Sequence, residues 1–261
     1  MCASVSPSVN LQATFEQPYA RYEAADHRVW ATLYERQCRL LAKHGCTAFL
    51  AGLDVLQLPA DRVPDFAALN RALTQASGWQ VVAVDGLIDE SVFFSLLAQR
   101  KFPVTWWLRR EDQLDYLEEP DLFHDLFGHV PLLADPTFGD FIQRYAMLGL
   151  EARDADELTR LARLYWFTVE FGLMRSPEHE GGLAVYGAGI ASSPAETLHS
   201  LTGAGVQHDR FDTATIVSTA YRTDTLQMRY FVIDSFNALF DAVESLRANR
   251  MPAANVDRLA A

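Results

Sequence analysis

Two histidines and one glutamate stand in apolar segments, and together they offer the ligands of a metal site. His124 and His129 lie five residues apart within residues 120–131, among large apolar side chains. Glu170 is the single carboxylate of residues 165–173, whose apolar side chains cover every face of a helix. A helix that is apolar all round is buried. An ionised carboxylate in such a helix is costly unless it is paired or bound to a metal.

The spacing of the two histidines bears on whether they can bind the same metal ion. On a regular α-helix, positions i and i+5 point apart by roughly 140°. Glycine, here Gly128, often ends helices, and Pro131 disfavours a helical conformation for the residue before it. We therefore expect the helix to end just before His129, so that His129 folds back toward His124.

Several interpretations of these residues remain open from the sequence alone. Glu170 could instead be a core carboxylate paired with Arg163 or Arg175. A non-catalytic helical interaction module, which would bind no metal, is a separate alternative. If a metal binds, the absence of a nearby cysteine argues against a structural zinc site. Two imidazoles and a carboxylate with open positions are typical of non-haem Fe(II) oxygenases. A zinc-dependent hydrolase uses the same ligand set, with Asp125 as the nearest candidate for its general base.

Helical periodicity dominates the chain and predicts a mainly α fold, in which packed helices are accompanied by a few short strands. The strand candidates are residues 79–84, 104–108 and 230–232. A helix is predicted over residues 211–221. No internal repeat, phosphate-binding loop or nucleophile elbow is present in the sequence.

The domain organisation predicted from the sequence is one domain between two tails. Residues 1–20 are polar, contain two prolines and predict a flexible N-terminal tail. The domain is expected to span residues 21–250, with a C-terminal tail over residues 251–261. The first residues lack the basic and apolar regions of a signal peptide.

Composition limits the partners that we expect. The net charge of the 261-residue chain is −12, which argues against nucleic acids and anionic membrane surfaces as partners. No apolar run approaches the ~20 residues needed to span a membrane. Three cysteines at irregular spacing do not form a disulfide framework. These features predict a cytoplasmic protein with reduced thiols.

Three segments in this order and at this spacing resemble the pterin-dependent aromatic amino acid hydroxylase family, most closely its bacterial phenylalanine 4-hydroxylase branch. The segments are residues 120–133, 165–173 and 186–193, and the resemblance extends over roughly residues 20–245. It implies a single, mainly α catalytic domain that uses Fe(II), a tetrahydropterin and dioxygen. It also implies a monooxygenase whose small-molecule substrate is an aromatic amino acid.

The resemblance assigns roles to individual residues. It implies that His124, His129 and Glu170 bind the iron, with Tyr165 close to it. The residues that would bind the substrate are Arg109, Asp121, Trp166 and Ser192. The residues that would bind the pterin are Gly86, Leu87, Phe93 and Tyr221. Without the resemblance, Phe93 would be interpreted as a core residue and Arg109 as a surface cation.

The substrate implied by the resemblance is L-phenylalanine, which would be hydroxylated to L-tyrosine. Tryptophan hydroxylation is the alternative within the family. Leu117 departs from the family pattern, because the animal phenylalanine enzymes have a substrate-contacting threonine there. Nothing in the sequence matches the regulatory domain or the tetramerisation helix of the animal enzymes. We therefore expect an unregulated monomer whose activity is linked to pterin-recycling enzymes.

Overall fold

The computed structural model describes residues 13–115, 117 and 119–248, and it confirms a mainly α fold with a few short strands. The α-helices are α1 (Ala24–His44), α2 (Thr47–Leu56), α3 (Phe66–Ser77), α4 (Glu90–Ala98), α5 (Val130–Leu133), α6 (Pro136–Leu150), α7 (Ala155–Tyr165), α8 (Ala188–Ala191), α9 (Pro194–Thr202), α10 (Thr213–Ser218) and α11 (Asn237–Ala248). The strands are β1 (Gln80–Val84), β2 (Lys101–Thr105), β3 (Leu173–Arg175), β4 (Leu183–Val185), β5 (Gln207–Arg210) and β6 (Arg229–Ile233).

Further helical turns are of two other kinds. Short 3₁₀ turns cover Tyr19–Arg21, Glu111–Gln113 and Glu180–Gly182. Two π-helices, Phe123–His129 and Trp166–Glu170, interrupt the α-helical parts of the chain. Single π-turns within helices are rare and often mark functional sites. Here they hold the two histidines and the glutamate singled out by the sequence.

The strands form two small sheets that leave the helices as the main scaffold. β1 and β2 pair in parallel through the α4 crossover, with Val84 opposite Thr105 at their carboxyl ends. The loops that leave these ends lead to Leu87 and to Arg109, so both side chains start from one edge of the sheet. The second sheet has the order β4-β3-β6-β5.

The strand predictions are correct in part. Residues 79–84 correspond to β1 and residues 230–232 to β6, whereas the strand predicted over 104–108 lies earlier, at Lys101–Thr105. Strands β3 and β5 were not predicted, since they contain three and four residues and show no strict alternation. The helix predicted over residues 211–221 is limited to Thr213–Ser218 by an Asp212 N-cap that accepts from Thr215 N.

The last part of the predicted N-terminal tail is held by the domain. The Phe15 amide donates to the Ala83 carbonyl at 3.1 Å. The Gln17 side chain donates to the Pro64 carbonyl at 3.0 Å and accepts from the Phe66 amide at 2.8 Å. The boundary drawn at residue 20 is therefore too late, because backbone pairing already begins at Phe15. Residues 1–12 and 251–261 lie outside the described residues.

Two aromatic residues of the first π-helix pack against each other and against α1. Phe123 and Phe127 stack with ring centroids 4.8 Å apart, and Trp30 of α1 meets Phe123 edge-on at 5.4 Å. These three rings are fully buried. Aromatic pairs of this kind contribute roughly 0.5–1.5 kcal/mol beyond the area that they bury. The apolar side chains of the π-helix are therefore packed against α1.

Among the described residues, no helix combines the length and the apolar character that crossing a membrane requires.

Candidate metal centre and substrate cavity

The first π-helix explains how two histidines five residues apart meet. The expectation that the helix ends before His129 is wrong: Phe123–His129 is one π-helix, and α5 continues from it directly. A π-helix makes i→i+5 hydrogen bonds, so residues five apart lie nearly above one another. The ring centroids of His124 and His129 are 5.1 Å apart. A widened helix, rather than a broken one, thus presents both imidazoles on one face.

Gly128 has a packing role instead of the expected helix-ending role. A Cβ at Gly128 would lie 2.9 Å from the Ala188 carbonyl oxygen and 3.2 Å from the Ala188 Cβ. The absence of a side chain therefore lets α8 approach the π-helix closely. This contact brings Ser192, at the C-terminal end of α8, within reach of His124.

The second π-helix presents Glu170. It follows α7, whose N-terminus is capped by the Asp154 side chain. It ends with an i→i+5 bond from the Phe171 amide to the Trp166 carbonyl at 2.9 Å. Its neighbours Phe167 and Val169 are buried. The Glu170 side chain is only 13% exposed, which confirms that the carboxylate lies largely within the protein.

The three side chains converge on one point. The His129 Nε2 atom lies 3.2 Å from Glu170 Oε1 and 3.3 Å from His124 Nε2, and the His124 Nε2 atom lies 3.5 Å from Glu170 Oε2. They are the one group of three or more such residues, within the described part of the chain, that could hold a metal ion. Neither Arg163, which donates to Val217 O, nor Arg175, which pairs with Asp234, is the partner of Glu170.

The pKa of Glu170 and a hydrogen bond to His124 both bear on whether these side chains can bind a metal. Burial raises the pKa of Glu170, but the adjacent His129 and His124 outweigh it and leave the pKa below its usual value. His124 Nδ1 is hydrogen-bonded to Ser192 Oγ at 2.9 Å. That bond occupies the ring nitrogen remote from Glu170, so the facing Nε2 atom is available to a metal.

Asp121 joins the first π-helix to Arg109. Its Oδ2 accepts from the Arg109 amide at 2.9 Å and from Arg109 Nε at 2.8 Å, and its Oδ1 accepts from Arg109 Nη2 at 2.9 Å. The same Oδ1 accepts from the His124 amide at 3.1 Å, at the start of the π-helix. Asp121 is fully buried and Arg109 is 9% exposed. The two side chains therefore form a buried, bidentate ion pair.

A cavity of about 630 Å³ lies beside the three converging residues. Its walls include most of the residues predicted to bind substrate or metal, namely Arg109, His124, Trp166, Glu170 and Ser192, together with Leu87 from the predicted pterin group. Leu117 and Thr223 also line it. The described structure therefore brings three of the four predicted substrate side chains, all but Asp121, and two of the three converging residues to one cavity.

The aromatic residues around the centre fall into two groups. Phe93 meets Tyr165 edge-on at 5.8 Å, and Tyr165 lies 6.2 Å from the His129 ring. Burial raises the pKa of Tyr165 well above its usual value, so its hydroxyl stays protonated. Tyr221 instead stacks on Trp166, with ring centroids 4.4 Å apart. This contact places Tyr221 against a predicted substrate residue, although the sequence grouped it with the pterin.

Two buried polar residues of the cavity wall were not predicted from the sequence. Gln227 and Glu196 both line the cavity, and both are less than a tenth exposed. Glu196 follows Ser193 at the spacing of a helix capping box, which offers an ordinary explanation for it. Gln227 lies in a segment without a recognisable motif, so no sequence signal points to it.

The position of Asp125 bears on the hydrolase alternative. Its Oδ2 accepts from the Thr105 amide at 2.8 Å, at the end of β2. Asp125 is not among the residues that line the cavity. A carboxylate occupied in this way is a poor general base for a water beside Glu170, because it faces the strand instead of the cavity.

Comparisons with known proteins agree with this geometry. The family model described as biopterin-dependent aromatic amino acid hydroxylase matches residues 6–253. A phenylalanine-4-hydroxylase of Chromobacterium violaceum is 55% identical over 229 residues, covering 88% of this chain and 76% of the relative. A phenylalanine-4-hydroxylase of Ralstonia nicotianae is also 55% identical over 229 residues, covering 88% of this chain and 72% of the relative.

Solved structures give the same result. The crystal structure of the Chromobacterium violaceum phenylalanine hydroxylase with bound iron(III) and oxidised cofactor 7,8-dihydrobiopterin superposes with a TM-score of 0.86 at 52% identity. The match covers 95% of this chain and 90% of that one. The chain belongs to the family of biopterin-dependent aromatic amino acid hydroxylases.

Proposed function

We propose that this protein is an iron- and tetrahydropterin-dependent monooxygenase that hydroxylates L-phenylalanine to L-tyrosine with dioxygen. The observation that carries the proposal is the convergence of His124, His129 and Glu170 within 4.8 Å beside a cavity that also contains Arg109. Similar proteins named phenylalanine-4-hydroxylase, and a similar structure holding iron and dihydrobiopterin, support the substrate and both cofactors.

His124, His129 and Glu170 fit an iron ion. Ligand bonds of about 2.1 Å set at right angles separate neighbouring donor atoms by about 3 Å. The three separations measured here are 3.2, 3.3 and 3.5 Å. Two neutral imidazoles and one carboxylate leave positions open for other ligands. When bound, iron and the reduced pterin supply the oxygen-activating redox chemistry, which protein side chains lack.

Arg109 is proposed to hold the carboxylate of the amino acid. Asp121 engages the Nε/Nη2 edge of the guanidinium. The Nη1 atom makes no hydrogen bond to another described residue, and Arg109 lines the cavity. A planar guanidinium binds a carboxylate through two parallel hydrogen bonds, and Asp121 fixes its plane.

The pterin is proposed to bind near Phe93, Gly86 and Leu87. Phe93 contacts Tyr165, which in turn contacts the ring of His129, so a planar molecule on Phe93 would lie close to the metal ligands. Gly86 has a φ of 154°, a conformation that side chains disfavour, and nothing lies within 4 Å of where its Cβ would be. Leu87 is 84% exposed, so its apolar surface is available to a ligand.

The ring pocket favours phenylalanine over tyrosine. Its wall is aromatic, with Trp166 against Phe171 at a centroid distance of 4.7 Å. The Trp166 indole N–H is already bonded to Gln227, at 3.1 Å. A ring hydroxyl buried there without a partner would lose its hydrogen bonds to water, which disfavours tyrosine as substrate. Tryptophan remains the closest competitor, because a slightly larger apolar ring costs little selectivity.

The protein is further proposed to act as a cytoplasmic monomer together with pterin-recycling enzymes. Two cysteines of the described residues support a reducing compartment, because Cys38 and Cys46 are both free thiols. Burial raises the pKa of Cys46 to about 11, so this thiol stays protonated and unreactive.

A product assay tests the proposed function. Protein supplied with Fe(II), tetrahydropterin and oxygen should convert phenylalanine to tyrosine, identified by mass and by ring position. Phenylalanine and tryptophan compete at equal concentration in the same vessel. A tenfold or greater preference in kcat/KM for tryptophan, about 1.4 kcal/mol of discrimination, would overturn the substrate. Activity with Zn(II) alone and no pterin would overturn the chemistry.

Replacing Ser192 with alanine tests the support of the metal ligand. Ser192→Ala removes the hydrogen bond to His124 Nδ1 and should weaken Fe(II) binding by about 10–100-fold, measured by titration calorimetry under anaerobic conditions. Ser193→Ala is the matched control, because this N-cap should cost about 1 kcal/mol of stability without changing metal affinity. Equal metal affinities for Ser192→Ala and the unmodified protein would refute the role of Ser192.

Exchanging Arg109 for lysine tests the substrate carboxylate contact. Arg109→Lys keeps the charge but loses the planar fork, so the phenylalanine KM should rise at least about tenfold while the pterin KM stays within about twofold. Arg110→Lys is the control, since this neighbour pairs with Asp112 on the surface. A parallel rise in both KM values for Arg109→Lys would indicate a structural role instead.

A further inference from the structure

The Gln227 side chain bridges two walls of the cavity. Its Oε1 accepts from Trp166 Nε1 at 3.1 Å. Its Nε2 donates to the Arg222 carbonyl at 2.8 Å and to the Thr225 carbonyl at 3.2 Å. Gln227 is only 7% exposed, so its own end of each bond is shielded from water. One amide group thus connects the ring pocket to the loop of residues 222–226.

The backbone of Gln227 is fixed as well. Its amide donates to Glu196 Oε1 at 3.4 Å, and its carbonyl accepts from His199 Nε2 at 2.9 Å. Glu196 Oε2 in turn accepts from the Tyr230 hydroxyl at 2.8 Å. These partners lie on α9 and β6, which anchor Gln227 from outside the loop. The side chain therefore has a rigid base from which to act on Trp166.

The loop of residues 222–226 depends on Gln227 for its attachment. Four of its residues, Thr223 to Leu226, line the cavity. Within the described part of the chain, the hydrogen bonds made by this loop are those to Gln227 and those of an ion pair between Arg222 and Asp224. That pair is largely exposed and contributes little. The two carbonyls bound by Gln227 Nε2 thus define the shape of this wall.

Trp166 depends on Gln227 in a different way. Tyr221 stacks on the indole at 4.4 Å with an interplanar angle of 13°, and Phe171 lies at 4.7 Å. Stacking fixes the plane of the indole, but a half-turn about the Cβ–Cγ bond would keep the ring in that plane. The bond from Nε1 to Gln227 selects one of these two orientations, and it therefore determines which edge of the indole faces the cavity.

We propose that Gln227 is a positioning residue that sets the shape of the aromatic ring pocket, and with it the affinity and selectivity for the amino acid. It acts through Trp166 and through residues 222–226, on the substrate side of the cavity. Its bonds do not reach the metal ligands or Phe93. The inference rests on the proposed function for its kinetic part, while its structural part can be measured without turnover.

The kinetic test uses Gln227→Leu, Trp166→Phe and the double variant. Gln227→Leu should raise the phenylalanine KM about tenfold and lower the preference for phenylalanine over tryptophan several-fold. The pterin KM and Fe(II) affinity should stay within about twofold. Because Trp166→Phe removes the other half of the same bond, the double variant should lose less than the product of the two single losses.

Gln143→Leu is the matched control. Gln143 also uses both ends of a half-buried amide, accepting from Arg100 Nε at 3.0 Å and donating to the Ala98 carbonyl at 2.8 Å, but it lies on α6 away from the cavity. Its loss should lower the melting temperature without changing the phenylalanine KM. If Gln227→Leu and Gln143→Leu change the phenylalanine KM equally, or if the Gln227 and Trp166 effects simply multiply, the positioning role is refuted.

A measurement on the resting protein separates this inference from the proposed function. Hydrogen exchange of the Trp166 indole proton, followed by NMR and assigned with Trp166→Phe, should be at least tenfold faster in Gln227→Leu and unchanged in Gln143→Leu. Absence of tyrosine formation by the unmodified protein would refute the proposed function and leave this result intact. An unchanged exchange rate in Gln227→Leu would refute the inference, whatever the protein catalyses.

Discussion

A carboxylate held against two imidazoles in a largely apolar interior is the constraint on which this structure depends. Glu170 faces His129 at 3.2 Å and His124 at 3.5 Å, with only 13% of its side chain exposed. Such a group is costly to bury without compensation. A bound cation would compensate the charge of this carboxylate. The π-helical segments make this arrangement possible, since a regular α-helix would turn the two imidazoles away from each other.

The same constraint connects the metal centre to the substrate. Asp121 binds the guanidinium of Arg109 through both carboxylate oxygens. Its Oδ1 also accepts a hydrogen bond from the His124 amide at the start of the π-helix. On the other side, Ser192 bonds to His124 and also lines the cavity. Residues proposed to hold the amino acid therefore also orient a proposed metal ligand. A shift at Arg109 would be transmitted to His124 through one fully buried carboxylate.

The chemistry of the centre could be predicted from the sequence better than its geometry. An acidic residue in an all-apolar helix identified Glu170, and paired histidines identified His124 and His129. The π-helix could not be predicted, because periodicity distinguishes α from β but not a locally widened turn. Gly128 was interpreted as a helix end, although its small size serves the approach of α8, a contact between residues distant in sequence.

Residues whose roles depend on tertiary contacts were the hardest to predict. Tyr221, which the resemblance assigns to the pterin site, stacks on Trp166, 55 positions earlier in the chain, and this contact could not be predicted from the sequence. No role for Gln227 could be predicted, because a glutamine outside any motif cannot be distinguished from a surface residue until its partners are known. The short strands β3 and β5 are likewise defined by pairing with β6 instead of by their own residues.

The measurement that tests the metal centre most directly is Fe(II) binding by the unmodified protein and by Glu170→Gln under anaerobic conditions. The substitution keeps the shape of the side chain and removes its charge. We expect one Fe(II) per chain in the unmodified protein, with a raised melting temperature, and at least a hundredfold weaker binding in Glu170→Gln. Binding of iron by Glu170→Gln with the same stoichiometry and affinity would contradict the assignment of His124, His129 and Glu170 as the metal ligands.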